Sequence, residues 1–181
     1  MDDAASLAGS AVRHLSALAH VSGGWTDFWV GAGTSTSWVT GYAGHALGRA
    51  AYHRGLPREL RALAHASAAS AVGALERQQR HGAWGWSPAV RADADSTAWC
   101  VRALVSMGRP VGSRTWDFLA GHRSADGYRT YRPTEQTGRW AQPMPEVTAV
   151  VLLAYLEADR ITPAELGERW LQWCGPTGPW T

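Results

Sequence analysis

The sequence predicts an all-α protein, built as a partial α/α toroid of inner and outer helices. A Gly-x-Trp type of turn recurs along the chain, and each turn leads into an apolar helix, as at Gly82-x-Trp84. No strand pattern persists, because the short apolar runs lie in Ala- and Leu-rich stretches of helical length. Recurrence at about fifty residues is typical of stacked helical hairpins.

The composition indicates a globular protein and excludes several functional classes. Of the 181 residues, 45% are hydrophobic and 18% charged, which is enough for one domain with a core. The net charge of +2 without a basic run gives no reason to expect nucleic acid binding. Two cysteines without close spacing predict neither a disulfide framework nor a zinc knuckle. The start Met1-Asp2-Asp3 is unlike a signal peptide and no apolar run reaches the ~20 residues of a membrane span, so we expect a soluble, cytoplasmic protein.

Turn residues delimit seven predicted helices. Ser37 is expected to cap the second helix, and Asp93 or Asp95 the fourth. A polar loop is expected from Ser124 to Pro145. The predicted helices cover residues 4–20, 38–53, 57–80, 95–108, 113–122, 146–159 and 162–173.

The helix starts align as repeats within a single domain, residues 1–181. Thr40, Thr97 and Thr148 each follow the opening of an apolar helix, at intervals of 57 and 51 residues. The turn aromatics Trp25, Trp84, Tyr128 and Trp180 recur at similar intervals. We place the helices that open at residues 38, 95 and 146 inside, since they are more apolar, and those that open at 57, 113 and 162 outside. The predicted repeats are 1–54, 55–108, 109–158 and 159–181.

An acidic pair stands at one repeat only. Asp93 and Asp95 open the fourth helix, and such neighbouring carboxylates can share a proton and push their pKa values apart. A general acid strong enough to protonate an alkene requires that kind of environment in a dry cavity. A protonated histidine would strengthen the acid, and His45, His81 and His122 are candidates. The alternative is structural: Asp93 as N-cap and Asp95 as an acid that the helix dipole favours.

These residues carry a resemblance to a known family. Gln78-x-x-x-Gly82-x-Trp84 resembles the QW motif of squalene–hopene cyclases and other triterpene cyclases, and Asp93-Ala94-Asp95-Ser96-Thr97-Ala98 resembles the D-x-D-D-T-A motif of class II terpene cyclases. The run Gly85-Trp86-Ser87-Pro88 resembles the segment before that motif. Weaker turn copies lie at Ala19–Trp25 and Cys174–Trp180, and Asp126-Gly127-Tyr128 is more degenerate.

The resemblance implies an α/α barrel and proton-initiated cyclisation. The middle Asp of the motif protonates an alkene or epoxide, which assigns that role to Asp95, with Asp93 as its support. Ser96 replaces the final Asp of the motif, a departure from the family. Family members also close a full barrel, whereas this chain offers about half, so a homodimer, a partner that completes the barrel, or an open groove are the alternatives.

Further candidates surround the acid. Glu146 holds the position of Asp95 in the next repeat and is a candidate base. Trp38 and Trp86 flank the starts of inner helices and are candidate walls of a cation-stabilising pocket. Ser96, Asp27 and Trp99 complete the expected substrate-binding residues. For each tryptophan the alternative is packing in the core or at a repeat joint, and for Glu146 it is helix capping.

Zinc chemistry is the alternative on this scaffold. Protein prenyltransferase β subunits share the barrel and bind zinc through Asp, Cys and His. Here Asp95 and Cys100 lie five residues apart on one helix, without the spacing of such a site, and Cys100 suits core packing. We therefore expect no metal and no cofactor.

The sequence thus predicts a small terpene-cyclase-like enzyme of specialised metabolism, a cyclase, isomerase or lyase. It would act by general acid chemistry from Asp95 on an apolar isoprenoid or polyene. Two alternatives stay open: a non-catalytic module that binds a hydrophobic ligand or partner, and a hydrolase or isomerase with a non-terpenoid substrate.

Overall fold

The computed structural model confirms the all-α fold and describes residues 2–27, 29–31, 33–135 and 138–174. Within these ranges there are seven α-helices. Each lies within a few residues of its predicted span. The helices are α1 Asp2–Leu18, α2 Ser37–Ala51, α3 Arg58–Gln78, α4 Ala94–Ser106, α5 Ser113–Ala120, α6 Pro145–Glu157 and α7 Pro163–Cys174.

The helices form two layers. The inner helices α2, α4 and α6 pack side by side in that order, so α4 is central. The outer helices α3, α5 and α7 pack behind them, and α1 packs on α3 and α2. The predicted division into inner and outer helices is therefore correct.

The turn before each inner helix is tied to a threonine of that helix. The backbone N–H of Trp84 donates to Thr97 Oγ1 at 3.1 Å, and the Thr97 hydroxyl donates to the Trp84 carbonyl at 3.0 Å. Trp84 and Thr97 are fully buried, so water does not compete for these bonds. The same N–H to Oγ1 bond joins Trp25 to Thr40 at 3.0 Å and Tyr128 to Thr148 at 2.8 Å.

The turn tryptophans also hold the preceding outer helices. Trp84 Nε1 donates to the Leu75 carbonyl at 2.8 Å, three residues before the end of α3. Trp25 Nε1 donates to the Leu15 carbonyl at 2.9 Å, three residues before the end of α1. The Leu75 carbonyl also accepts the N–H of Gln79 at 3.0 Å, so the Trp84 indole uses the second acceptor position of a carbonyl in the last turn of α3. One side chain thus joins the end of an outer helix to the start of the next inner helix.

Two glycines have geometric reasons to be glycine. Gly82, two residues before Trp84, adopts a φ of +87°. A residue with a side chain would be strained in that backbone conformation. Gly41 lies where α2 crosses α4, and a Cβ there would stand 2.8 Å from the Cys100 nitrogen. The two inner helices therefore approach more closely than larger side chains would allow.

Two sequence-based expectations were wrong in detail. Ser37 is the first residue of α2 and not its N-cap, which is Thr36; the Ser37 hydroxyl donates to Gln78 Oε1 at 2.9 Å instead. Short antiparallel hairpins also occur in the predicted loops, β1 Trp29–Val30 with β2 Gly33–Thr34 and β3 Arg123–Ser124 with β4 Gly127–Tyr128. A 3₁₀ turn, Arg139–Ala141, lies in the predicted polar loop. The turn predicted at Trp180 lies outside the described residues.

None of the helices that the structure describes is long and apolar enough to cross a membrane.

Replacing Thr97 by Val should destabilise the protein by about 1–3 kcal/mol, because the buried backbone of Trp84 loses its hydroxyl partner while the volume is kept. Chemical unfolding of both proteins measures the change. Thr134→Val, at an exposed loop position, is the matched control and should leave the free energy of unfolding nearly unchanged. Equal stability of the Thr97 and Thr134 variants would contradict the role given to this threonine.

Candidate active site

The face of the inner helices that points away from the outer layer carries most of the predicted site. This inner face comprises Trp38, Tyr42 and His45 on α2, Asp95, Trp99 and Arg102 on α4, and Glu146 and Glu157 on α6. On each helix these residues are three, four, seven or eleven positions apart, which is the spacing of one helical face. Contacts between the helices show that these faces meet. The inner face thus gathers residues from three repeats.

Asp93 is the N-cap of α4, one of the two caps that the sequence allowed. Its carboxylate accepts hydrogen bonds from the Ser96 N–H at 2.7 Å and from the Ser96 hydroxyl at 2.8 Å. Only 3% of the residue is exposed. Burial raises the pKa of Asp93 to about 7, against the hydrogen bonds from Ser96, which lower it. Asp93 therefore faces the protein, not the inner face.

Asp95, two residues later, stands on the inner face and is partly exposed. Its Oδ2 accepts a hydrogen bond from Trp38 Nε1 at 3.0 Å. Burial raises the pKa of Asp95 to about 6; the bond from Trp38 lowers it, and the charge of Glu146 raises it. A carboxyl with that pKa is partly protonated near neutral pH, which suits a general acid.

Trp38 and Trp86 stack beside the acid, with ring centroids 5.6 Å apart and planes inclined by 27°. On its other side Trp38 stacks on Tyr42 at 6.0 Å, and Tyr42 meets Trp99 edge-on at 4.7 Å. The rings thus continue from Asp95 along the inner face. Aromatic faces attract cations, so this row is suited to a positively charged species near Asp95.

Glu146 lies at the same end of the inner face, on the first turn of α6. Its carboxylate is 60% exposed and lies 3.8 Å from Arg139 Nη2. Its negative charge contributes to the raised pKa of Asp95. The structure thus joins Asp95, Trp38 and Trp86 by direct contacts, with Glu146 at the corresponding position of α6.

The remaining predicted site residues lie differently. Ser96 is buried and its hydroxyl donates to Asp93, so its side chain does not point to the inner face. Ser96 therefore holds Asp93 in place and does not make the substrate contact expected from the sequence. Trp99 is on the inner face, with the Arg102 guanidinium 4.6 Å from its ring centroid. Asp27 is exposed in the loop before β1, and its backbone N–H bonds the Ser35 carbonyl. Its side chain makes no contact that ties it to Asp95 among those the structure gives.

A polar brace farther along the inner face was not predicted. Arg102 donates to both Glu157 oxygens, at 3.0 and 2.8 Å, and His45 Nε2 lies 3.2 Å from Glu157 Oε1. Burial acts to raise the pKa of Glu157, but the bonds from His45 and Arg102 hold it at about 2. The brace joins α2, α4 and α6. The sequence signal for it was a polar residue with helical spacing on the inner face of each of the three helices.

None of the three candidate histidines is bonded to Asp95. His45 belongs to the brace, His81 is exposed, and His122 is buried with Nδ1 2.8 Å from the Phe118 carbonyl. The hydrogen-bond donor to Asp95 is instead the indole of Trp38. An indole lowers the carboxyl pKa without adding a charge, which differs from the imidazolium expected from the sequence.

The region around Asp95 is open in this chain. Tyr42 is 51% exposed, and Glu146 projects into solvent. A cleft of about 610 Å³ lies at the other end of the inner helices and includes Arg49, Ser106 and Glu157 in its lining. Within the described ranges, no three His, Cys, Asp or Glu residues are grouped as a metal site would require.

Solved structures resemble this arrangement. A crystal structure of a protein from Actinoplanes matches with a TM-score of 0.75 and 26% identity, over 98% of this chain and 55% of that chain. A variant of type II terpene cyclase MstE from Scytonema, without ligand, matches with a TM-score of 0.69 and 20% identity, over 91% of this chain and 47% of that one. The chain has a terpene-cyclase-like fold.

Another MstE variant, in complex with its substrate geranylgeranyl dihydroxybenzoate, matches with a TM-score of 0.67 and 19% identity, over 91% of this chain and 48% of that one. No family model and no curated protein matches the sequence. By the coverages given above, the chain spans about half the length of the solved structures that it resembles.

Asp93→Asn should flatten the pH dependence of stability. Folded Asp93 keeps its proton up to about pH 7, whereas an unfolded carboxyl loses it near 3.8. The folded state therefore binds more protons between these values, and the free energy of unfolding falls as the pH rises through them. Asn keeps a capping oxygen for the Ser96 N–H and removes this titration.

Thermal unfolding at about pH 5 and about pH 8 measures the effect. The loss of stability between the two should be smaller in Asp93→Asn than in the parent, and unchanged in the control Asp117→Asn on the exposed side of α5. The same pH dependence in all three proteins would contradict the raised pKa.

Proposed function

We propose that the chain supplies the acid half of a proton-initiated terpene cyclase, in which Asp95 protonates an isoprenoid or polyene. The observation that carries this proposal is the placement of Asp95, partly protonated near neutral pH and bonded to Trp38, beside a stacked pair of tryptophans. The terpene-cyclase-like fold supports it. MstE binds geranylgeranyl dihydroxybenzoate, so we extend to this chain a substrate with an isoprenoid tail.

In the proposed step, the π electrons of a terminal alkene form a new C–H bond with the proton of Asp95. The O–H electron pair stays on the carboxylate, and the positive charge appears on the more substituted carbon. A second alkene of the same chain attacks that carbon and closes a ring. Loss of a proton to a base restores a neutral alkene, and Glu146 is our candidate for that base.

Asp95 is a better candidate for the donor than Asp93. Both oxygens of Asp93 accept hydrogen bonds from Ser96, and the residue is buried, so no substrate atom can reach it. Asp95 has one oxygen bonded to Trp38 and stands on the inner face. In this proposal Asp93 and Ser96 fix the first turn of α4 and thereby the position of Asp95. They are positioning residues.

The same arrangement explains how Ser96 stands in for a motif carboxylate. The Ser96 hydroxyl donates a hydrogen bond to Asp93, whereas an ionised third acid could only accept one. The similarity to squalene–hopene cyclases through Gln78 and Trp84 remains part of this proposal. The proposed substrate is an apolar small molecule, and the proposed reaction needs neither metal nor cofactor.

Trp38 and Trp86 are proposed to stabilise the first cation. Their rings lie next to the proton donor, so the charge forms within reach of their faces. Trp99 is less suited, because the Arg102 guanidinium already lies over its ring. The first carbocations of the cyclisation would therefore be stabilised best near Asp95.

A second candidate function is a binding module without catalysis, favoured by the open inner face. An aromatic row can hold an apolar ligand without a reaction. In that case Asp95→Asn would leave ligand affinity nearly unchanged and no product would form. A hydrolase or isomerase with a non-terpenoid substrate is the third reading, and the acid pair alone supports it.

Asp95→Asn should abolish cyclisation, by roughly 100-fold or more, because the amide cannot donate an acidic proton. Purified protein is incubated with linear isoprenoids, their diphosphates and a geranylgeranyl-substituted dihydroxybenzoate, with and without chelator, and products are identified by mass spectrometry. Cyclised product that survives chelator and disappears in the variant supports the proposal. Full activity of the variant, or no product from any substrate, would contradict it.

Trp38→Phe should move the pH profile of the reaction to higher pH. The acid must be protonated, so the rate of the parent should fall as the pH rises through about 6. Phe keeps an aromatic ring but removes the donor that lowers the pKa of Asp95. Rates measured across pH test this, with Trp140→Phe at an exposed turn as control. An unshifted profile would contradict the role of the indole.

A further inference from the structure

We propose that a second copy of this chain closes the inner face, by packing its α6 against the free flank of α2. The inference rests on the proposed function for its purpose, since the acid needs a closed chamber, but its evidence is the repeat geometry. Each inner helix packs against the next through one flank, and among the helices that the structure describes one flank of α2 and one of α6 have no neighbouring inner helix.

The flank in question is defined by how α4 packs on α2. A Cβ on Gly41 would touch the backbone of Trp99, one on Gly44 would lie 3.5 Å from Ala103 Cβ, and one on Gly48 would overlap Ser106. Positions 99, 103 and 106 of α4 thus receive the preceding inner helix. This is the receiving flank of α4.

The equivalent residues of α2 are exposed. The bonds from the turn aromatics to Thr40 and Thr97 fix the alignment of the two helices, because both threonines hold the same place. In that alignment positions 99, 103 and 106 correspond to Tyr42, Ala46 and Arg49. All three are exposed. The receiving flank of α2, Tyr42–Ala46–Arg49, therefore has the form of a surface for a preceding inner helix and lacks one.

The last inner helix of another copy fits this surface. Thr148 aligns with Thr40, which places Ala149 of α6 level with Gly41 of α2. Ala149 is small and only partly buried, so α6 offers a small residue where Gly41 allows the close approach to α4. Leu152 and Leu156 correspond to Gly44 and Gly48; Leu152 is fully buried within the chain, so the proposed contact uses Ala149 and the partly buried Leu156. The outer layer is open in the same way, since Leu7 and Leu18 of α1 and Leu171 of α7 are more than half exposed.

Two copies related by a two-fold axis would use both ends at once. The α6 of each copy meets the α2 of the other, and the interface closes without a free end, as cyclic oligomers require. This chain matches 47–55% of the length of the solved structures that it resembles, so two copies supply about one such length. Trp38 and Asp95 hold equivalent positions on successive inner helices and are in contact. If the α6 of the second copy takes the place before α2, its Glu146 would lie beside Trp38 in the same way. The chamber would then exclude water from the acid.

The test is the mass in solution. Gel filtration with light scattering over a concentration series should give twice the chain mass of 19.5 kDa. Ala46→Glu places a charge in the proposed interface while remaining solvated in a single copy, so it should give a folded monomer. Ala69→Glu, on the exposed side of α3, is the matched control and should remain dimeric. Circular dichroism checks the folding of each variant, and Arg49→Glu provides a second variant of the same flank.

A parent protein that is monomeric at all concentrations would overturn the proposal. The receiving flank of α2 would then be covered by another protein, by a further segment, or by solvent alone. A dimer that persists in both Ala46→Glu and Arg49→Glu would overturn the choice of surface. The outcome is separate from that of the proposed function: a dimer without turnover leaves this inference standing and refutes the cyclase, and turnover by a monomer does the reverse.

Discussion

The hydrogen bonds between the turn aromatics and the threonines of the inner helices are the constraint on which the rest of the structure depends. At Trp84 the indole donates to the Leu75 carbonyl near the end of α3, the backbone exchanges two hydrogen bonds with Thr97, and the carbonyl also accepts the Asp93 N–H at 3.0 Å. All of these groups are buried, and an unpaired buried polar group costs about 1–3 kcal/mol. The turn therefore fixes where α4 begins and how α4 is oriented relative to the preceding outer helix, α3.

The acid is a consequence of that joint. Asp93 is set as the N-cap by its bond to the turn, and two residues of helix then carry Asp95 to the inner face, where Trp38 from the previous repeat meets it. Buried carboxylates with raised pKa values destabilise a protein at neutral pH. Their presence at one repeat, against neutral or exposed residues at the equivalent positions of the others, supports the proposed role of Asp95 as proton donor.

Periodicity and turn residues were sufficient for the fold: the helix positions and the two layers followed from them, because these depend on local spacing. They narrowed the N-cap of α4 to Asp93 or Asp95, and the structure selects Asp93. The Trp38–Asp95 bond and the Arg102–Glu157 brace did not follow, since each joins residues 55 or more positions apart. Ser37 shows the same limit. Its local preference for a cap is overridden by Gln78, a partner that only the packing of α3 supplies. The side chains of Asp27 and Ser96 were placed by sequence proximity to the motifs, which says nothing of their direction.

The central claim is that a proton from the protein starts the reaction, and isotope incorporation tests it most directly. The cyclisation would be run in D2O, where the Asp95 carboxyl exchanges its proton for deuterium, and the product would be examined by mass spectrometry and NMR. The account predicts one deuterium on the carbon that the acid protonates, with no deuterium in recovered substrate. A cyclised product without deuterium at that carbon would contradict it, because the cation would then have arisen without protonation of the alkene.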